Sequence, residues 1–238
     1  ISNKHKGFFR KKSKGFFGIT FNKSKNYIIA ASREVINNYH LYEKSSDTII
    51  HYLDPSNDKK IEKILINNLF DVHQIFYHNE RIYLTETGKN RIQIFNCISK
   101  KVENFINIGK ENKNMNHVNA IHIDNKKILI GLNNGNKENF KNSQIIEIDL
   151  NNIKMNNNEI NAFEIGKTID LKNIYHTHDI EKFGDDYLIS ASEDGNLISY
   201  KNLTILKKLP IWTRGISISK NNIFVGKSGV ATRKLRYS

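Results

Sequence analysis

The sequence predicts an all-β fold assembled from similar antiparallel units. One phrase recurs four times, as HQIFYHNERIYL from His73, NAIHIDNKKILI from Asn119, HDIEKFGDDYLI from His178 and RGISISKNNIFV from Arg214. A fainter copy, GITFNKSKNYII, starts at Gly18. Self-similarity at such intervals is the signature of a repeat architecture. Stretches such as RIQIF from Arg91 and QIIEIDL from Gln144 alternate polar and apolar residues, as a strand with one buried face requires. Helical periodicity is weak throughout.

Each copy reads as a first strand, a polar turn, and a second strand beginning nine places after the leading polar residue, at Ile82, Ile128, Tyr187 and Ile223. A third strand and a fourth rich in Lys and Ile follow. They are placed at 48–53 and 60–65 in the first unit, 91–96 and 102–108 in the second, 144–150 and 162–165 in the third, and 196–201 and 203–209 in the fourth. Asn134-Gly135 and Asp194-Gly195 punctuate the turns. Extra residues at 33–46 and 133–142 read as long loops after second strands. The fifth unit has strands at 215–219 and 223–226, with a third expected in 231–237. Residues 5–14 are expected to supply its outer strand and close the ring.

Four antiparallel strands per unit is the sequence form of a β-propeller. The expectation is a single domain over 1–238, with blades starting near 15, 70, 116, 175 and 211 and 1–14 as a closing strand. Five blades are visible; a sixth is implied if the chain is truncated.

Composition narrows the function classes. The net charge is +13, but 30 of the 37 basic residues are Lys, and they sit mostly in turns rather than interleaved with aromatics. Specific nucleic-acid binding is therefore not expected. No run approaches the roughly 20 apolar residues of a membrane helix, so no membrane partner is expected. The single Cys97 precludes an internal disulfide framework. A cytoplasmic monomer is the working expectation, with the start at Ile1 consistent with a trimmed N-terminus.

Equivalent positions on successive first strands would form rings around one axis. One ring reads Gly18, His73, Asn119, His178, Arg214, and two residues earlier a second reads Phe16, Asp71, His117, His176, Trp212. Two residues later the positions are Thr20, Ile75, Ile121, Ile180 and Ile216, which suggests a polar mouth above a packed interior. Arg214 offers a donor fork suited to a carboxylate or phosphate. His73 and His178 are the candidate catalytic residues, as general bases oriented by Asp71 or Asp179. Arg214, Asn119, Asp71 and Trp212 are candidate ligand contacts, and Gly18 would leave room for the ligand. His117 and His176 are candidate ligands for a divalent metal ion. The competing reading makes these residues hydrogen-bonded ties between blades. Glu86, Asn133, Glu193 and Lys227 read as solvated turn residues, with the lining of a pocket as the alternative, and Cys97 as an inert thiol.

The segments at His73, His117 with Asn119, 176–179 (HTHD) and 212–215 (WTRG) resemble the propeller superfamily of NHL-repeat, gluconolactonase-like and strictosidine-synthase-like proteins, closest to a bacterial family of conserved propellers. That resemblance covers about residues 15–228 and implies a hydrolase or lyase using a metal or a His at the channel mouth. The expected ligand is a small anionic molecule of the sugar-acid, lactone or carboxylate type. The alternative is a non-catalytic scaffold that binds a protein or glycan through its long loops.

Overall fold

The structure is a computed structural model that describes residues 16–33, 46–57, 59–109, 116–134, 142–153, 159–209, 212–220 and 222–228. The expected closing strand at 5–14, the third strand at 231–237 and most of the two long loops lie outside the described residues.

Strands are numbered in chain order. The first sheet has the order β1 (Phe16–Asn22), β2 (Tyr27–Arg33), β3 (Ser46–Asp54), β4 (Lys59–Leu69), and all its pairings are antiparallel. The second runs from β5 (Val72–His78) through β6 (Arg81–Glu86) and β7 (Arg91–Asn96) to β8 (Lys101–Asn107). The third contains β9 (Val118–Ile123), β10 (Lys127–Leu132) and β11 (Gln144–Asp149). Next, β12 (Glu159–Asn161) returns to the second sheet and extends it by a parallel pairing with β8. A helical turn, α1 (Ala162–Ile165), leads to β13 (Lys167–Asp170), which completes the third sheet beside β11. The fourth sheet is β14 (Thr177–Phe183), β15 (Asp186–Ala191), β16 (Asn196–Ser199) and β17 (Thr204–Lys208). Finally, β18 (Trp212–Ser219) and β19 (Asn222–Ser228) form a hairpin.

The described residues thus give four blades of four antiparallel strands, one of them widened by β12, and a two-stranded fifth sheet. This is a β-propeller-like construction, with five full blades not reached. The first strand of every repeat is an edge strand of its own sheet.

One expectation is corrected. Residues 162–165 are not the fourth strand of the third repeat; they are α1, and β13 takes the strand's place. The reason is local. The Asn161 carboxamide caps the turn: its Oδ1 accepts the Phe163 N–H at 3.1 Å and its Nδ2 donates to Glu164 Oε1 at 3.0 Å. A capping side chain at a helix start competes directly with strand pairing.

The chain divides into two compact units, one drawn from Ile1–Val118 and Asn151–Glu164 and the other from Asn119–Leu150 and Ile165–Ser238. In the first, Ile29, Ile50, Leu69, Ile75, Ile82 and Leu84 are almost wholly buried together. Here the edge strands β1 and β5 run beside each other, and Thr20 Oγ1 accepts the Tyr77 N–H at 3.1 Å. In the second, Leu129, Ile145, Ile180, Ile189 and Ile198 form the main cluster, and Leu188, Leu197 and Ile216 a smaller one. Each fully buried Ile or Leu contributes about 1.5–3 kcal/mol. Of the residues read as lining a packed interior, Ile75, Ile121, Ile180 and Ile216 are buried and Thr20 is half-buried.

Candidate functional site

The first strands begin irregularly, and this positions the candidate side chains. Pairing slips between Val72 and Ile75 in β5, between Thr177 and Asp179 in β14, and between Thr213 and Ile216 in β18. His73, His178 and Arg214 therefore lie in bulges, which bend a strand and re-aim its side chains. Just upstream, Asp71, His117 and His176 all have left-handed backbones, with φ of 49°, 49° and 57°. That conformation is uncommon outside Gly, Asn and Asp, so its recurrence at equivalent positions of three repeats is a built feature of the strand entry.

In the second unit, Arg214 Nη1 donates to His178 Nε2 at 2.8 Å. The Asn119 carboxamide nitrogen meets His178 Nδ1 and also donates to the Thr177 carbonyl at 3.2 Å. Both ring nitrogens thus face donors. A neutral imidazole has one acceptor nitrogen and an imidazolium has none. Protonating the ring would also bring two cations to 2.8 Å of each other, so this geometry selects the uncharged ring. Below it, the Arg214 guanidinium carbon lies 5.5 Å from the Trp212 ring centre, within cation–π range. The His176 ring lies 5.6 Å from Trp212, tilted by 30°.

His176 Nδ1 is 2.8 Å from Glu193 Oε2, close enough for an ion pair, yet the two atoms are not aligned as a hydrogen bond. They belong to a larger set. Eight buried side-chain polar atoms among the described residues lack a hydrogen-bond partner. Six of them, on Asn133, His176, Thr177, Glu193, Asn196 and Thr213, lie at the end of the second unit where first strands begin and second strands finish. Backbone contacts join that end: the Thr177 N–H reaches Ser143 Oγ at 3.2 Å, and Ser192 Oγ donates to the Thr213 carbonyl.

Asp179, expected to stand behind a catalytic histidine, accepts two backbone N–H groups. Its Oδ2 accepts the Ile216 N–H at 2.6 Å and its Oδ1 the Ile180 N–H at 3.0 Å, so it ties β14 to β18.

In the first unit, Asp71 and His73 pair, with His73 Nε2 at 3.0 Å from Asp71 Oδ2. The carboxylate is buried, and the imidazole keeps 27% of its side-chain surface. His117 packs edge-to-face on His73 at 4.9 Å between ring centres. Gly18 does not leave space for a ligand. A Cβ there would stand 2.8 Å from the Ile75 backbone nitrogen, so the glycine permits two edge strands to approach.

Glu86 and Asn133 are not solvated turn residues; both are buried. Glu86 accepts the Phe70 N–H at 3.0 Å and Arg91 Nε at 2.6 Å, while burial pushes its carboxyl above the usual range. Their turn-like sequence settings concealed this, although an Arg five residues after Glu86 was a usable signal. Lys227 is exposed. Cys97 is half-buried, accepts the Tyr52 hydroxyl at 3.4 Å, and has its thiol pushed up chiefly by burial. No three His, Cys, Asp or Glu side chains among the described residues are grouped so as to hold a metal ion. Among the described residues no helix is long and apolar enough to cross a membrane.

No family model and no curated protein matches the chain. Solved structures do. The Myxococcus xanthus glutaminyl cyclase superposes with a TM-score of 0.54 at 9% identity, covering 90% of this chain and 87% of that one. A streptogramin B lyase gives 0.52 at 16% identity, covering 87% of this chain and 60% of that one. A Bacteroides uniformis protein described as a putative 6-phosphogluconolactonase gives 0.56 at 7% identity, covering 88% and 63%. The chain thus spans less than two thirds of the lyase and of the lactonase. These are propeller-type folds, and at such identities the likeness is one of fold.

Proposed function

We propose that the protein binds a small anionic ligand, of the carboxylate or sugar-acid type, at the strand-entry end of its second unit. The observation that carries this reading is the Arg214–His178–Asn119 chain. It holds a guanidinium by an uncharged imidazole, above the face of Trp212, within a bulge. A guanidinium fixed in this way is preorganised for a planar anion. The partnerless polar atoms on Thr177, Asn196 and Thr213 supply hydroxyls and an amide oxygen suited to the hydroxyl groups of such a ligand. The enzymes that share the fold include a lyase and a protein described as a lactonase. That supports placing the activity, coarsely, with propeller hydrolases and lyases.

The test is calorimetric titration with acetate, gluconate and glucono-lactone at 0.15 M salt. The reading expects gluconate to bind more tightly than acetate, and Arg214→Ala to lose the binding while its melting temperature stays close to that of the parent. Lost stability in Arg214→Ala with no ligand detected for the parent protein would overturn the reading and make Arg214 a tie between strands.

A further inference from the structure

We propose that His73 and Asp71 form a proton-transfer pair that activates water toward a small acyl carbonyl, independently of the anion site around Arg214. The pair lies wholly within the first unit.

The argument starts from the carboxylate. Asp71 is 3% exposed and takes a left-handed backbone, φ 49°, which turns its side chain back toward the residue two places on. There it meets His73 Nε2 at 3.0 Å. A buried carboxylate accepts, so Nε2 carries the proton and Nδ1 is the basic nitrogen. The bulge between Val72 and Ile75 removes His73 from the regular strand pairing, and its ring remains partly exposed. The His117 ring packs on it in a T-shaped arrangement, which limits rotation. The result is an imidazole with a fixed tautomer, an orienting carboxylate and access from solvent, which are the requirements for a general base. His73 is the catalytic residue in this proposal, and Asp71 is a positioning residue.

The step balances simply. Water adds through oxygen to the acyl carbonyl as His73 Nδ1 takes one of its protons. The tetrahedral intermediate collapses and expels the alkoxide or phenolate. His73 then returns its proton to the leaving group or to solvent, and the carboxylic acid product is released. No oxidant, reductant or further reactant is needed. The Asp71 carboxylate stabilises the imidazolium that forms during the step.

The experiment uses the intact chain and p-nitrophenyl acetate as the probe, with rates measured from pH 5 to 9. The parent protein is expected to hydrolyse it with a single rising pH profile, and His73→Gln to lose that component by roughly 10²-fold, the lower end of what general-base catalysis supplies. Asp71→Asn keeps a residue that tolerates the left-handed backbone. It is expected to lower kcat while KM stays close to that of the parent, a split that a merely structural role would not produce. Lys201→Ala, which removes an exposed ion pair with Asp185, is expected to leave the rate unchanged. A parent rate equal to that of His73→Gln would overturn the proposal, as would an unchanged kcat in Asp71→Asn or loss of the activity in Lys201→Ala. A further readout needs no variant. Nitrogen NMR of the parent protein at high pH should find His73 protonated at Nε2, and a ring protonated at Nδ1 would overturn the assignment.

Discussion

At the scale of single residues, the chemistry is decided by which side of each hydrogen bond a group must take. Arg214 can only donate, and it donates to a ring that already faces the Asn119 amide, so His178 holds the guanidinium in place. His51 gives a second case with a measurable consequence. Burial, then the neighbouring Lys60 and Lys63, lower its pKa from 6.5 to about 4. In the unfolded chain His51 binds a proton as pH falls below 6.5, whereas in the folded state it resists until about 4. Its contribution to stability is therefore full above pH 6.5 and is lost progressively toward 4. Urea unfolding at pH 7 and pH 4.5 should show the parent losing stability and His51→Gln losing less. Equal losses would refute the assignment. Glu86 is the residue whose removal should be felt most in the first unit. Glu86→Ala strands the Phe70 N–H and the Arg91 guanidinium and should cost about 1–3 kcal/mol in the same unfolding experiment.

At the scale of elements, the strand entries matter more than the strands. The nine-residue spacing was readable from sequence because alternation marks where a half-buried strand starts and stops. The bulges and left-handed residues were not, because they arise from pairing between strands and change no local composition. Two other features did leave traces. Asn161 and Glu164 have the spacing of a capping box, which marks α1 where a strand was expected. Gly18 sits within a strand, the usual mark of close backbone approach. Gly18→Ala should lower the melting temperature, since its Cβ meets the backbone of Ile75 rather than a flexible side chain. Asp179 is the tie that holds β18 to β14. Asp179→Ala should cost about 1–3 kcal/mol, and hydrogen exchange should show β18 amides opening before those of β15. Uniform exchange across both strands would contradict that role.

At the scale of the whole molecule, the sequence carried the fold class because repetition averages out local ambiguity. The all-β character, the four-stranded antiparallel blades and the edge position of each first strand are all present. Site chemistry was legible only as residue types at equivalent positions. Their pairing into Asp71 with His73, and Asn119 with His178 and Arg214, depended on backbone irregularities that periodicity does not encode. The charge of +13 adds a diffuse attraction for any anion. At 0.15 M salt the screening length is about 8 Å, so this attraction weakens while a contact at a fixed guanidinium persists. The chain has one tryptophan, and it lies beneath Arg214, so its fluorescence reports on this site alone. The most direct measurement of the central claim is that fluorescence during a gluconate titration at 0.15 M salt, for the parent protein and for Arg214→Ala. The account predicts a saturable change in the parent and none in the variant. A change that persists in Arg214→Ala, or no change in the parent, would contradict it.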